Sequence, residues 1–161
     1  EDQDIKVVIS SVEFVSKCRD KRERQKVGKE NKMNVAEEEE KDNERIPLGG
    51  KTIDGSRSVE NCIIRSKDDF KDYHFKNEKF MFLEYLDHDD YDEFTCDLYY
   101  SKNHKLKCVV PRKRLEIRDG EVYKALTVNN VLVPYIKKKL NYTSGAIGCL
   151  TAQFFPPQNR S

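Results

Sequence analysis

The sequence predicts an all-β fold, an antiparallel β-sandwich of the immunoglobulin type carrying disulfides, as one domain over residues 1–161. Three observations predict it. Short apolar runs rich in β-branched and aromatic residues recur along the second half. Turn signals separate them: Ser101-Lys102-Asn103, Arg118-Asp119-Gly120, Asn129-Asn130 and Ser144-Gly145. Five cysteines, Cys18, Cys62, Cys96, Cys108 and Cys149, stand far apart, with no CxxC pair and no Cys/His group at zinc spacing. Finally, 161 residues without an internal repeat suit a single core.

The elements follow in order. Residues 5–15 (IKVVISSVEFV) are dense in β-branched side chains and read as a first strand. Around residues 19–45 the charge density rises and only Val27, Met33, Val35 and Ala36 offer anything to a core. This stretch reads as a mobile charged loop around one short strand at 31–36. Gly49-Gly50 and Asp54-Gly55 mark a turn-rich passage before a strand at 59–64. Residues 80–86 (FMFLEYL) are apolar on both faces, which fits a buried strand or part of a helix starting near Asp68; the strand is the reading taken. After an acidic tip at 87–93, strands are expected at 94–100, 104–110, 121–128, 131–142 and 146–155. Pro156-Pro157 then ends the ladder.

Apolar and charged residues each make up 37% of the chain, and with no Trp the 8 Phe and 8 Tyr must carry much of a modest core. The 30 basic and 29 acidic residues nearly cancel, which argues against the one-sided basic field of a nucleic-acid binder. No apolar run approaches the roughly 18 to 20 residues of a membrane span. The chain opens on Glu1, as a mature chain without its signal peptide would. The dispersed cysteines and the sequon Asn141-Tyr142-Thr143 point to an oxidising, extracellular setting, with Asn141 as the glycan acceptor. Five cysteines allow at most two bridges, and their connectivity stays open.

Chemistry is sparse. Asp87, His88, Asp89, Asp90, Asp92 and Glu93 crowd one tip but lack the alternation and central glycine of a calcium loop, so a solvated turn is the reading and no metal is expected. His74, His88 and His104 are scattered, and no Ser or Cys stands in a nucleophile motif, so neither catalysis nor a cofactor is expected. Lys105, Lys107, Arg112, Lys113 and Arg114 cluster around the Cys108 run, and Lys137, Lys138 and Lys139 precede Asn141. Such a basic edge fits a glycosaminoglycan, lipid headgroups or an acidic extracellular protein. It equally fits the charges that keep edge strands from pairing.

Gly120-x-x-Tyr123, Val128, Pro134, residues 135–142, Ser144-Gly145 and Cys149-Leu150 resemble the closing hairpin of the ML lipid-recognition family, which includes the ganglioside activator and the Niemann–Pick type C carrier. Ser11 through Cys18, Val27-Gly28-Lys29 and Met33-Asn34-Val35 are similar to its opening strands, and Cys96 and Cys108 would match its mid-chain cysteine pair. Phe94 two residues before Cys96 also resembles the immunoglobulin corner. The ML resemblance implies a secreted, non-enzymatic carrier that holds a lipid or other apolar small molecule between two sheets. Phe80, Phe82, Tyr123, Leu126, Leu132, Ile136, Phe154 and Phe155 would line it. The alternative is a secreted protein-binding module acting through its charged surface.

Overall fold

The structure is a computed structural model, and it describes residues 7–40, 46–54, 61–118 and 121–158. The chain begins not with a strand but with two helices, α1 (Val12–Arg19) and α2 (Lys21–Glu30). Ser11 caps α1 by accepting from the Phe14 amide, and Phe14 is the residue α1 buries. Asp20 ends α1 and caps α2, its carboxylate accepting from the amides of Arg22 and Glu23 at 2.8 and 3.1 Å. Lys, Arg, Glu and Gln lose little rotamer freedom in a helix, so a good cap is enough to order a stretch whose charge density suggests a loop.

Next come β1 (Glu38–Glu39), β2 (Leu48–Thr52), β3 (Cys62–Ile64), a 3-10 turn at Lys67–Asp69, α3 (Asp72–Lys76) and β4 (Phe80–Glu84). The four strands form an antiparallel sheet in the order β1-β4-β2-β3. The rest of the chain supplies β5 (Phe94–Tyr100), β6 (Leu106–Arg118), β7 (Glu121–Thr127), α4 (Leu132–Lys139) and β8 (Gly148–Phe154). A second antiparallel sheet results, ordered β7-β6-β5-β8.

Strand β2 lies where Gly49-Gly50 signals a turn. Gly50 is required there by packing: a Cβ on it would come within 2.7 Å of Cys62 Sγ and 2.9 Å of the Phe80 ring. In turn, α4 replaces the strand expected at 131–142. Leu132, Ile136 and Leu140 recur at four-residue steps and are buried together, Asn130 Oδ1 accepts from the Leu132 amide at 3.0 Å, and Pro134 falls in the first turn, where a missing amide is harmless.

The two sheets do not face each other across a shared core, and this overturns the sandwich. Leu48, Ile64, Phe80 and Phe82 form one core on the first sheet, with Cys62 and Phe70 against it. Phe14, Phe94, Cys96, Leu98, Tyr100, Leu132, Ile136, Leu140 and Ala146 form the other, where α1 and α4 cover the second sheet. The fold therefore mixes helices with two separate antiparallel layers instead of stacking one sheet on another.

Nor is any disulfide present among the described residues: all five cysteines are free thiols. For one pair the sheet register explains it. Cys108 and Cys149 pair with Tyr99 from opposite sides of β5, which puts them two strand spacings apart, about 9.5 Å, outside the roughly 4.4 to 6.8 Å Cα separation a bridge needs. Cys96 lies fully buried between Pro111 and Ala152, and burial pushes its thiol up to about 12. Gly55 of the Asp54-Gly55 signal and the whole of Asp119-Gly120 fall outside the described residues, as do the start of the expected first strand and residues 59–60 of the one at 59–64.

Candidate functional site

The eight residues expected to line a common cavity are dispersed. Phe80 and Phe82 are buried in the first core, Leu132 and Ile136 in the second, and Phe154 packs at the second core's margin. Tyr123 and Leu126 are 65% and 52% exposed on the outermost strand β7, and Phe155 is half-buried beyond the end of β8. No one cavity can touch them all. Asn141 is exposed, and its carbonyl accepts from the Leu106 amide at 2.8 Å, whereas the Thr143 hydroxyl of the same sequon lies buried against Tyr100.

Three cations of β6 are paired, one with Asp97 of β5 and two with the acidic tip. Arg112 forks onto Asp97 at 2.7 and 3.0 Å, Lys113 meets Asp92 at 2.8 Å, and Arg114 pairs with Glu93 while both are almost wholly buried, at 7% and 10%. Thr151 and Gln153 on β8 add hydrogen bonds to Asp97 and Glu93 at 3.3 Å. Carboxylates that look like a solvated tip in the sequence therefore serve as counter-ions on one face of the second sheet. The remaining acids are also occupied, Asp87 capping its own turn by accepting from the Asp89 amide at 2.9 Å. A groove of about 250 Å³ lies beside this network, between Tyr91, Glu93, Arg114 and Ile117.

A second cysteine neighbourhood can be set aside as a catalytic pair. His74 is buried, and its Nδ1 accepts from the Lys71 amide at 3.1 Å, so the ring proton sits on Nε2, 3.7 Å from Cys62 Sγ. Desolvation lowers the His74 pKa and raises that of Cys62, which keeps both groups neutral. A metal-bound histidine donates its second N–H, whereas this one accepts, so the pair is a packing contact.

The charge arrangement that stands out is on the first sheet. Lys51 on the inner strand β2 is the cross-strand partner of Met81 on β4 and is half-buried. Desolvation first, and then the nearby cations Arg24 and Lys21, lower its ammonium pKa to about 8, with no carboxylate opposing them. Lys21 is itself lowered, first by burial and then by Arg24, although Asp54 and Asp20 act in the other direction. Helix α2 is fixed over this spot by the Lys21 amide, which donates to Ile53 at 3.1 Å, and by Lys21 Nζ, which donates to Thr52 at 2.5 Å. Arg22 on the same helix holds Glu38 of β1 at 2.7 Å. Three cations from two elements thus converge where Lys51 has neither hydrogen bond nor ion pair among the described residues. Holding such charges together in partial burial costs free energy that a bound anion would return. Sequence reading missed this site because Lys51 follows two glycines and α2 looks like a loop. The cap signal Asp20 before a run of good helix formers was the available clue.

The fold is two four-stranded antiparallel layers with helices on separate cores. One solved structure that this chain is similar to is an L-amino acid ligase from Bacillus licheniformis, with a TM-score of 0.56 and 12% sequence identity over 86% of this chain. The chain spans only 36% of that protein's length. No protein-family model and no curated protein matches the sequence.

This likeness is one of fold. Together with the divided cores it overturns the immunoglobulin-like sandwich, and with it the lipid carrier. Of the basic surface on which the alternative reading relies, Arg112, Lys113 and Arg114 are matched by Asp97, Asp92 and Glu93.

Proposed function

We propose that this chain binds the phosphate groups of a nucleotide at Lys51, Lys21 and Arg24, and does so as part of an enzyme that joins a carboxylate to an amine. One observation carries the reading: a half-buried lysine on an inner strand, flanked by two further cations and lacking a counter-ion. A lysine is a point charge with three donors that suits phosphate oxygens, and an arginine adds a planar fork. The activity of the similar protein, an L-amino acid ligase, supports the rest. Amide formation from a free carboxylate in water is uphill, and phosphoryl transfer to the carboxylate is the usual way to activate it. A site of this type catalyses such transfer largely by positioning and by charge neutralisation.

Titration calorimetry with ATP, and separately with inorganic pyrophosphate, tests the reading. Binding is expected to weaken about tenfold or more on Lys51→Met, a loss of roughly 1.4 kcal/mol or more, with the circular dichroism spectrum unchanged. Wild-type protein that takes up neither compound at millimolar concentration would refute it.

A further inference from the structure

We propose that the lysine-rich end of the second sheet, where the turn between β5 and β6 meets the end of α4, is a binding surface for single-stranded nucleic acid. The near-equal totals of acidic and basic residues conceal a local imbalance. Residues 98–115 and 122–161 contain no Asp or Glu, and the fold brings lysines of the two stretches together. Lys105 bridges Tyr142 in antiparallel register, the Leu106 amide donates to the Asn141 carbonyl at 2.8 Å, and the Thr143 amide donates to the His104 carbonyl at 3.1 Å. Lys102, Lys105 and Lys107 are thereby set near Lys137 and Lys138 of α4. All five are exposed, and none of their side chains is in an ion pair or hydrogen bond among the described residues.

Cations in the last turn of α4 also suit the negative end of a helix, but that accounts for Lys137 and Lys138 alone. Lys107 is the extra residue where the register of β6 on β5 slips between Tyr99 and Tyr100, and a bulge of this kind re-aims the side chain it adds.

A ring stands among these cations. Tyr142 is 55% exposed, and His104 meets it nearly at right angles, with ring centroids 6.1 Å apart. His104 is itself fixed. Its backbone adopts a φ of +59°, uncommon outside glycine, and its Nδ1 donates to the Ala146 carbonyl at 3.1 Å, since a carbonyl oxygen only accepts. The tyrosine is thus braced without being covered. Single strands use this combination, their bases stacking on the ring while lysines follow the phosphates. A sulfated polysaccharide would engage the lysines and leave the ring idle, so the ring is what selects the partner.

Fluorescence anisotropy of a labelled oligouridylate of about 12 nucleotides, titrated with the full chain, tests the proposal. Affinity is expected to fall about 50-fold between roughly 50 and 200 mM salt, as about four phosphate contacts on a single strand require. Replacing Lys137 and Lys138 together by Gln should weaken binding and flatten that fall to about sevenfold. Tyr142→Ala should weaken binding about tenfold and leave the salt dependence unchanged. Lys76→Gln, which removes an exposed lysine engaged by Asp72 at 3.1 Å, should change nothing. Absence of binding at the lower salt overturns the proposal. So does wild-type affinity in Tyr142→Ala, which would leave a surface for polyanions in general, and so does a loss on Lys76→Gln as large as that of the paired α4 substitutions.

Discussion

Tyr100 on β5 donates its hydroxyl to the carbonyl of Leu140 at 2.8 Å, and Thr143 Oγ1 stands 3.2 Å from the Tyr100 hydroxyl oxygen. Leu140 is the residue at which α4 ends, so this contact fastens the helix to the middle of the second sheet. All three residues are buried. Tyr100→Phe leaves the Leu140 carbonyl and the Thr143 hydroxyl without that partner inside the core, at a cost of about 1 to 3 kcal/mol. Urea unfolding should show a lower midpoint with an unchanged slope. A midpoint equal to wild type would mean water replaces the hydroxyl.

Gly145 has φ of +81°, and a Cβ there would lie 2.6 Å from Ser11 Oγ and 2.9 Å from Phe14 Cβ. Gly145→Ala therefore strains the backbone and also pushes on the start of α1, and we expect a loss of about 2 kcal/mol or more. Gly49→Ala is the control, because the nearest atom to its Cβ, the Leu83 carbonyl oxygen, is 3.9 Å away. Thermal melts of the two variants should differ clearly, with Gly145→Ala the lower.

Removing one member of the Glu93–Arg114 pair leaves the other charge buried. Arg114→Met should cost about 3 to 5 kcal/mol, and adding Glu93→Leu should recover a large part of it. A double-mutant cycle by chemical denaturation measures this. Strict additivity of the two substitutions would show that the pair is not coupled.

The stability of the protein should depend on pH through Lys51. Its pKa falls from the ordinary 10.5 to about 8 on folding, so below pH 8 both states carry the proton and the full penalty of the buried ammonium is present. Between about pH 8 and 10.5 the unfolded chain binds the extra proton, and stability attributable to this group rises with pH. The difference in unfolding free energy between wild type and Lys51→Met should shift in favour of wild type across that window. A difference that stays flat would place Lys51 in solvent.

Thiol titration checks the free cysteines. Cys108 and Cys149 are exposed and should react promptly with a disulfide reagent, whereas Cys96, buried and held as a thiol well above neutral pH, should react only on unfolding. Two fast thiols and one fully protected thiol are the expected count. Protection of Cys108 and Cys149 together would point to a bridge and to a different strand order.

The second sheet was largely legible in the sequence. The runs at 94–100 and 121–128 alternate or end on turn signals, and they become β5 and β7 nearly residue for residue. Strand β8 was legible too, shortened at both ends. The helices were not. Val12, Val15 and their β-branched neighbours look like a strand, yet α1 is decided by the Ser11 cap and by burial of Phe14, which are visible only once its tertiary partner is known. Pro134 and Tyr135 likewise argue against a helix by propensity, and the Leu132, Ile136, Leu140 spacing outweighs them. The charged site was hidden for a related reason. Lys51 gains its character first from burial in the folded sheet and then from Arg24 and Lys21, about thirty residues away in sequence, and no local pattern encodes either.

Two cores that share no side chain also mean two thresholds for opening. Heat, denaturant or a mechanical pull that loosens Leu48, Ile64, Phe80 and Phe82 breaks no contact among Leu98, Tyr100, Ile136 and Ala146. Amides of β2 and β4 can then exchange with deuterium at a free energy of their own, distinct from that of β5 and β8. The element carrying Lys51 can thus breathe while the framework behind it stays closed, giving a ligand a way in and out without general unfolding.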